Sequence, residues 1–488
     1  MEKKTKSSKV STTSLAFMTA AGIISLRGLP MMAAEEMTMF FYIAFATILF
    51  LIPASLVSAE LGSAYAGKSG GVYDWVSGAF GKNFGFCAIW LQWIQNVVWY
   101  PTVLAFAASA VAYGIGKPEL AGNGVYTGLF IIVFYWLATF IAFAGTKILS
   151  KVTSWGFLVG TILPGAVVII LALVWLILKK PVGFEDMGTA ENAVTVIRNG
   201  HPSLRWLPSV SNMSNLSFLA GIILLFAGVE VQAVHASEME NPRKQYPAAV
   251  FLAAVIVFAL FTFGSLAISI VVRSSHIQIE SGLMQALDVM LRAINMKWAI
   301  SILAVCIAFG TLGGVMSWIT GPSHGLLQTA KDGLLPEKMT ATNKNGAPFI
   351  ILIIQGLIVT VLACLYFILK DVNVAFFLLS ALTAAVYIVM YLLMYAAAIR
   401  LRISKPDMER PYKVPGGMTG MWLVAGIGFL AALFVFIVAF FPPSQLPIGN
   451  PAFYVCIVAA GTIVFTGFPF VLERVRRKKI SGTGNPAQ

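Results

Sequence analysis

Two charged residues interrupt long apolar stretches of this chain. Arg27 lies between Gly22 and Pro30, and Glu230 follows Gly228. A guanidinium presents a planar fork that matches a carboxylate, whereas a buried carboxylate can accept hydrogen bonds or hold a proton. Charges inside an apolar segment are costly and functional by default. Arg27 is therefore a candidate for binding a carboxylate, and Glu230 is a candidate for a gating hydrogen bond or for proton binding.

Glycine and proline around these charges predict that both helices are broken. A spanning helix satisfies its own backbone groups, so irregular backbone at membrane depth is tolerated only where it lines a cavity or is buried in protein. A break leaves amide groups that favour a carboxylate and carbonyl groups that favour a cation. A zwitterionic amino acid carries both charges on one carbon. Two breaks at corresponding places in two halves of a chain indicate an inverted-repeat secondary transporter.

Each of these positions also has a plainer interpretation. Gly22, Gly28 and Gly228 could serve close helix packing, for which small residues are common in membranes. Glu230 could be a structural cap on the unwound backbone. Arg27 could contact a substrate carboxylate, pair with a protein carboxylate such as Glu230, or cap carbonyl groups of the broken helix. The sequence leaves these alternatives open.

The composition indicates a membrane protein. Of the 488 residues, 58% are hydrophobic and 11% are charged, and the mean hydropathy is +0.85. Ordinary soluble domains are about 25% charged. The net charge of +13 does not indicate a nucleic-acid partner, because Lys and Arg lie between apolar runs and not on one basic face.

No cofactor, metal site or catalytic group is expected. The four cysteines, Cys87, Cys306, Cys364 and Cys456, lie inside apolar segments at spacings that fit neither a metal site nor a disulfide framework. The sequence contains one G-x-x-x-x-G-K-[ST] run, Gly62 to Ser69, but this run continues a predicted spanning helix and does not follow a strand, as a phosphate-binding loop does. It also lacks the residue arrangements of an intramembrane protease. The chain is therefore not predicted to be an enzyme.

Apolar run lengths predict about twelve spanning helices, since each needs about 20 mainly apolar residues. The segments are 13–33, 39–65, 83–114, 123–144, 151–178, 214–236, 247–272, 297–330, 349–369, 373–400, 418–441 and 452–474. Lys and Arg are concentrated in the loops of one side, which predicts that both termini are cytoplasmic.

The predicted fold class is an all-α polytopic membrane protein with a LeuT-like five-plus-five inverted repeat and two broken helices. Its parts are an N-terminal tail (1–12), a first five-helix repeat (13–178), an extracytoplasmic loop (179–213), a second five-helix repeat (214–400), two further helices with their loops (401–474) and a C-terminal tail (475–488). The long loop is expected to be irregular. Glu35 and Glu36, at the outer end of the first helix, are expected to be solvated.

Several motifs resemble those of one transporter family. The run from Phe226 to Glu230, followed by Glu238 to Pro247, resembles the sixth-helix signature of the amino acid/polyamine/organocation superfamily. Other motifs resemble, more specifically, those of the bacterial glutamate/GABA antiporter family. They are Gly70-Gly71-Val72, Ser317 to Ser323, Leu334-Leu335-Pro336, Asn343 to Pro348, Pro415-Gly416-Gly417 and Phe441-Pro442-Pro443. The resemblance covers nearly the whole chain.

This resemblance implies a transporter of the bacterial cytoplasmic (inner) membrane that exchanges amino acids, or an amino acid and its decarboxylation product, by alternating access. The first break would hold the substrate carboxylate, and the second would face the amino group and take part in gating. An Asn of the third helix would line the pocket and an aromatic residue of the eighth would cap it. The implied substrate-binding residues are Ile24, Ser25, Leu26, Arg27, Gly28, Trp93, Asn96, Phe226, Gly228, Val229, Glu230, Trp318 and Tyr387. For Trp93, packing is the simpler interpretation.

Some features leave the substrate and the coupling open. The stretch from Ser25 to Pro30 departs from the well-known glutamate/GABA exchangers. The alternative functions are proton- or sodium-coupled amino acid uptake on the same fold and a nutrient sensor that does not transport. The apolar part of the fifth helix, Thr153 to Leu178, has no Lys to carry a proton, which favours exchange. The family's long C-terminal segment that closes the inner entrance is expected to be absent. The oligomeric state is not predicted.

Overall fold

The protein is seen in a computed structural model that describes residues 11–65, 68, 70–143, 152–153, 155–183, 195–198, 201–204, 206–210, 212–231 and 239–482. Within these residues, 11 helices are long and apolar enough to cross a membrane, and a bent helix pair brings the total to 12 spans. The prediction of an all-helical protein with about twelve spans is confirmed. Residues 1–10 and 483–488 of the predicted tails, and residues 184–194, 199–200, 205 and 211 of the 179–213 loop, lie outside the described residues.

The spans are numbered here in chain order. Their helices are Thr12–Ile23 with Leu29–Ala33 (span 1), Met39–Phe45, Ala46–Leu51 and Ile52–Ala64 (span 2), Lys82–Gly114 (span 3), Gly124–Ala142 (span 4), Leu158–Ile162 and Leu163–Ile177 (span 5), Met213–Leu216 and Phe218–Phe226 (span 6), Pro242–Val271 (span 7), Ala299–Lys331 (span 8), Phe349–Ala363 and Leu365–Ile368 (span 9), Val372–Ser404 (span 10), Gly417–Val438 (span 11) and Pro451–Gly482 (span 12).

Shorter elements connect the spans. Helix Val72–Phe80 precedes span 3, and helix Gly282–Ala293 lies between spans 7 and 8. Single helical turns occur at Glu36–Thr38, Pro118–Leu120, Ser274–His276 and Glu337–Thr340. In the loop after span 5, strands Thr195–Arg198 and His201–Leu204 pair antiparallel. The prediction that this loop is irregular is therefore wrong for these residues, because an extended pair satisfies its own backbone groups.

Span 1 is broken within the predicted stretch. Its first helix ends at Ile23, and Ile24 and Ser25 are extended, with ψ of 119° and 122°. One tight turn, Leu26–Gly28, leads into the second helix. Pro30 is tolerated at the start of this helix because the amide that proline lacks has no partner there anyway. The two halves of span 1 are bent by 50°.

Span 6 is broken within its predicted stretch as well. Its helix ends at Phe226, and Ala227 is extended with ψ of 158°. Gly228 has φ of +107°, a conformation that residues with a side chain rarely adopt. A short turn covers residues 229–231. The five-plus-five inverted repeat itself stays a prediction.

Spans 3, 6 and 10 form the centre of the molecule. Within their most apolar windows, 78%, 78% and 83% of residues are buried, compared with 17% for span 12. Asp371 caps span 10 by accepting from the amide of Asn373, an arrangement that satisfies one free donor at a helix start. The central spans carry the polar side chains described below.

The expectation that Glu35 and Glu36 are solvated is wrong. Glu35 is 9% exposed and Glu36 is 1% exposed. The side chain of Gln445 donates to Glu35, and Ser274 forms a hydrogen bond with Glu36. Segments far away in the sequence thus cover the end of span 1.

Candidate functional site

A cavity of about 450 Å³ lies beside the break of span 1. Spans 1, 3, 5, 6, 8 and 10 contribute to its wall, and its volume is typical of small-molecule sites. Gly22 in this wall is exposed, whereas the second half of span 1, Leu29–Ala33, is buried. The cavity therefore opens toward the side of the membrane on which span 1 begins.

Arg27 is the charged residue of the cavity wall. Its side chain is buried, and its Nη1 donates to the hydroxyl oxygens of Thr102 at 2.9 Å and Ser380 at 3.4 Å. Each hydroxyl in turn donates to a backbone carbonyl of its own helix, of Trp99 or Phe376. Both hydroxyl oxygens therefore face the guanidinium as acceptors.

Within the part of the chain that the structure describes, no carboxylate forms an ion pair with the guanidinium of Arg27. The ion pairs among the described residues are Arg292–Asp288, Arg402–Glu60, Arg410–Glu60 and Arg476–Glu473. The Nε of Arg27 is buried without a hydrogen-bond partner. Instead of a carboxylate, the rings of Trp99 and Phe376 lie over the guanidinium, with centroids 5.9 and 5.4 Å away. A pair between Arg27 and Glu230 is thus not formed.

Glu230 lies in a separate hydrogen-bond cluster next to the cavity. Its carboxylate accepts from Gln92 Nε2 at 2.8 Å and from the hydroxyls of Tyr387 and Tyr391. The hydroxyl of Tyr391 also accepts from the amide of Gly228 at 2.7 Å. Glu230 therefore supports the broken backbone through Tyr391 and contacts Tyr387, which lines the cavity. The structure combines the cap with a connection to the cavity.

An amide and two tryptophans complete the cavity wall near Arg27. Asn96 donates from Nδ2 to the carbonyl of Gln92 at 2.9 Å, which leaves its amide oxygen to accept from a ligand. Trp318 lies 6.3 Å from Trp99 in an edge-to-face arrangement. A Cβ at Gly228 would lie 2.9 Å from the Trp318 ring, so the second break packs directly against this indole.

The structure brings seven of the predicted site residues together. Those in the cavity wall are Ile24, Ser25, Leu26, Arg27, Asn96, Trp318 and Tyr387. The other six, Gly28, Trp93, Phe226, Gly228, Val229 and Glu230, lie outside the wall. Gly28 packs against Leu225, and Trp93 is buried and donates to Gln355 at 2.8 Å.

Sequence reasoning missed several residues of this region. Thr102, Ser380 and Phe376 surround Arg27, and Gln92 and Tyr391 bind Glu230, but isolated hydroxyl, amide and aromatic residues in apolar helices give no distinct signal. For Trp99, as for Trp93, packing is the simpler interpretation of the sequence, although Trp99 lies three residues after Asn96 and such residues share one face of a helix. Among the described residues, no group of three or more His, Cys, Asp or Glu side chains could hold a metal ion.

Comparisons with known proteins agree with this architecture. The family profile described as amino acid permease matches residues 10–462. An uncharacterized transporter of Legionella pneumophila is 41% identical over 461 residues, covering 94% of this chain and 96% of that protein. A glutamate/gamma-aminobutyrate antiporter of Lactococcus lactis is 30% identical over 465 residues, covering 95% and 90%.

The inner membrane transporter YjeM of Escherichia coli is 24% identical over 408 residues and is covered over 77% of each chain. The profile and the first two relatives span nearly the whole protein, including both breaks and the cavity. The chain therefore belongs to the amino acid permease family, as a multi-pass membrane transporter of small molecules of the amino acid type and not an enzyme.

Proposed function

We propose that this protein is an antiporter that exchanges an anionic amino acid for its decarboxylation product by alternating access. The observation that carries the proposal is Arg27, a buried cation in the wall of a cavity of small-molecule size, which has no counter-ion among the described residues. A buried charge requires a partner. A substrate carboxylate supplies that partner, and glutamate carries two carboxylates.

The roles of the other residues follow from their contacts. The amide oxygen of Asn96 would accept from the substrate ammonium, and Trp318 would cover its apolar carbons. Substrate bound at Tyr387 would affect Glu230 through the hydrogen bond between these two residues. Tyr391, which contacts both Glu230 and Gly228, would extend this effect to the break of span 6. Residues at both breaks would then move together when the cavity changes its access from one side to the other.

Exchange with a decarboxylation product is supported by the relative from Lactococcus lactis, whose name pairs glutamate with gamma-aminobutyrate. The apolar part of span 5 contains no Lys that could return a proton through an empty carrier. The remaining functions, coupled uptake and sensing, have no comparable contact in their favour. We place the protein in the bacterial inner membrane with both termini in the cytoplasm.

Trans-stimulation tests the proposal. Purified protein in vesicles loaded with labelled glutamate should release it slowly into buffer and much faster when glutamate or gamma-aminobutyrate is added outside. Agmatine, a dication, should stimulate release far less, because it brings a second positive charge toward Arg27.

The alternatives give different results in the same assay. A coupled uptake system would respond to an imposed proton or sodium gradient and not to external substrate. A sensor would bind glutamate without any flux. Either result would overturn the proposal of exchange.

A further inference from the structure

Glu280 is a buried carboxyl group outside the cavity. It precedes helix Gly282–Ala293, is 2% exposed, and its Oε1 has no hydrogen-bond partner. Its own backbone amide donates to the side chain of Asn373 at 3.2 Å. Burial and the nearby carboxylate of Asp371 raise the pKa of Glu280 well above its ordinary value.

Among the described residues, the titratable groups that interact electrostatically with Glu280 are one carboxyl group and three phenols. Asp371 begins span 10, and Tyr113, Tyr126 and Tyr366 come from spans 3, 4 and 9. On helix Gly282–Ala293, Asp288 is paired with Arg292 at 2.8 Å. Lys370 and His276 are exposed. Within the described parts of the chain, no Lys or Arg forms an ion pair with Glu280.

The segment that holds Glu280 closes the molecule on the side opposite the cavity mouth. A Cβ at Gly282 would lie 2.8 Å from Pro30 Cβ and 3.0 Å from the side chain of Ile277. Pro30 belongs to the half-helix that begins directly after Arg27. The tight contact between Gly282 and Pro30 therefore seals this side immediately above the substrate-binding turn.

One phenol connects the seal with the cavity. Tyr366 lies within electrostatic range of both Glu280 and Arg27, and its hydroxyl is buried without a hydrogen-bond partner. A change of charge at Glu280 or at Arg27 therefore changes the electrostatic potential at Tyr366. Tyr366 is therefore a residue that lies near both Glu280 and Arg27.

We propose that Glu280 is a proton-binding site that controls opening of this seal. With a proton bound, the carboxyl group is neutral and can stay buried beside Asp371. When the proton is lost, a carboxylate without a cation would remain under the seal, and it is stabilised only if the segment lifts and admits water. This inference goes beyond the exchange reaction and uses exchange only as one of two readouts.

The sign of the pH dependence follows from proton linkage. The sealed state binds the proton more tightly than an open, hydrated state, so acid favours the seal and a rise of pH through the sealed-state pKa favours opening. Each unit of pKa difference between the two states changes their ratio about tenfold. This ratio depends on the pH of the solution on the side of the membrane where Glu280 lies.

The test uses exchange in reconstituted vesicles, with the pH varied on one side at a time. The parent rate should depend on the pH of the Glu280 side. Glu280→Gln, a neutral group of the same shape, should abolish this dependence. Asp371→Asn, which keeps a capping side chain on span 10, should move the midpoint to lower pH because it removes the charge that raises the pKa of Glu280. Glu119→Gln, at an exposed carboxylate, is the matched control.

Amide hydrogen exchange of residues 277–285 provides a readout without transport. After correction for the intrinsic effect of pH on exchange, protection of this segment should fall as pH rises in the parent and stay constant in Glu280→Gln. A Glu280→Gln protein with the parent's pH profile would overturn the proposal. If that variant does not fold, an unchanged midpoint in Asp371→Asn would overturn it. If the parent protein shows no exchange at any pH, while protection of residues 277–285 still falls as pH rises, only the proposed function is contradicted.

Discussion

Gly28 and Leu225 join the two broken helices. A Cβ added at Gly28 would lie 2.0 Å from Cδ1 of Leu225, which precedes the break of span 6 by two residues. The small residue therefore brings the first break into contact with the second. This contact places both breaks beside one cavity.

Gly28→Ala is expected to destabilise the protein by about 1–3 kcal/mol, the usual cost of overpacking a well-packed core. Thermal unfolding in detergent would show a lower melting temperature. Leu225→Ala in the same chain should recover part of the loss, since the clashing atoms are removed. Gly426→Ala is the control, because a Cβ there meets no atom within 4 Å. Strictly additive effects of the two substitutions would show that the contact is not made.

Arg27→Gln should weaken binding of acidic amino acids at least about tenfold, since a hydrogen bond to a charged group contributes about 1.5–3 kcal/mol. Arg27→Lys should recover only part of the affinity, because an ammonium cannot form the planar two-point contact. Binding is measured by calorimetry for acidic and neutral amino acids. Arg292→Gln, at an exposed ion pair, is the control. Equal loss for all ligands in a folded protein would argue against direct recognition.

Glu230→Gln should fold and bind ligand while reducing transport. The carboxylate accepts three hydrogen bonds, whereas an amide has one oxygen and turns its NH₂ group toward another donor. Leaving such groups unsatisfied costs about 1–3 kcal/mol. Exchange rates and melting temperatures across a pH series would measure both effects. Transport equal to the parent at every pH would leave Glu230 only its role in supporting the backbone.

Tyr391→Phe separates the two roles of the Glu230 cluster. It removes the acceptor of the Gly228 amide but leaves Tyr387 on the carboxylate. We expect lower stability, by about 1–3 kcal/mol for the unsatisfied amide, together with slower exchange. Tyr387→Phe should affect substrate affinity more than stability. If both variants behave alike in both assays, the cluster acts as one unit.

Trp318→Leu should weaken substrate binding more than it lowers expression. An indole in the cavity wall covers a large apolar area of the ligand and loses little entropy. Trp422→Leu is the control, because Trp422 is 54% exposed on span 11. Affinity and the yield of folded protein are measured for both variants. Parallel loss of yield and affinity in Trp318→Leu would indicate packing instead.

Local sequence features were sufficient to predict the spans and both breaks. Apolar run length, glycine, Pro30 and the two intramembrane charges are all read within a few residues. The surroundings of those charges were not predictable, because Thr102 and Ser380 lie 75 and 353 residues from Arg27. The burial of Glu36 was not predictable for the same reason, since its partner Ser274 comes from the segment after span 7.

The absence of a carboxylate beside Arg27 among the described residues has a consequence for transport without exchange. To change its access, an empty carrier must occlude a cation with no anion beside it, whereas a loaded carrier occludes a guanidinium paired with a carboxylate. A charged side chain at the bilayer centre costs about 2.5–3.5 kcal/mol on insertion scales. If the protein exchanges substrates as proposed, a penalty of this size would slow the return of the empty carrier by up to a few hundredfold, at about tenfold for each 1.4 kcal/mol. One unpaired side chain would thus suppress uniport and make each inward movement depend on an outward one.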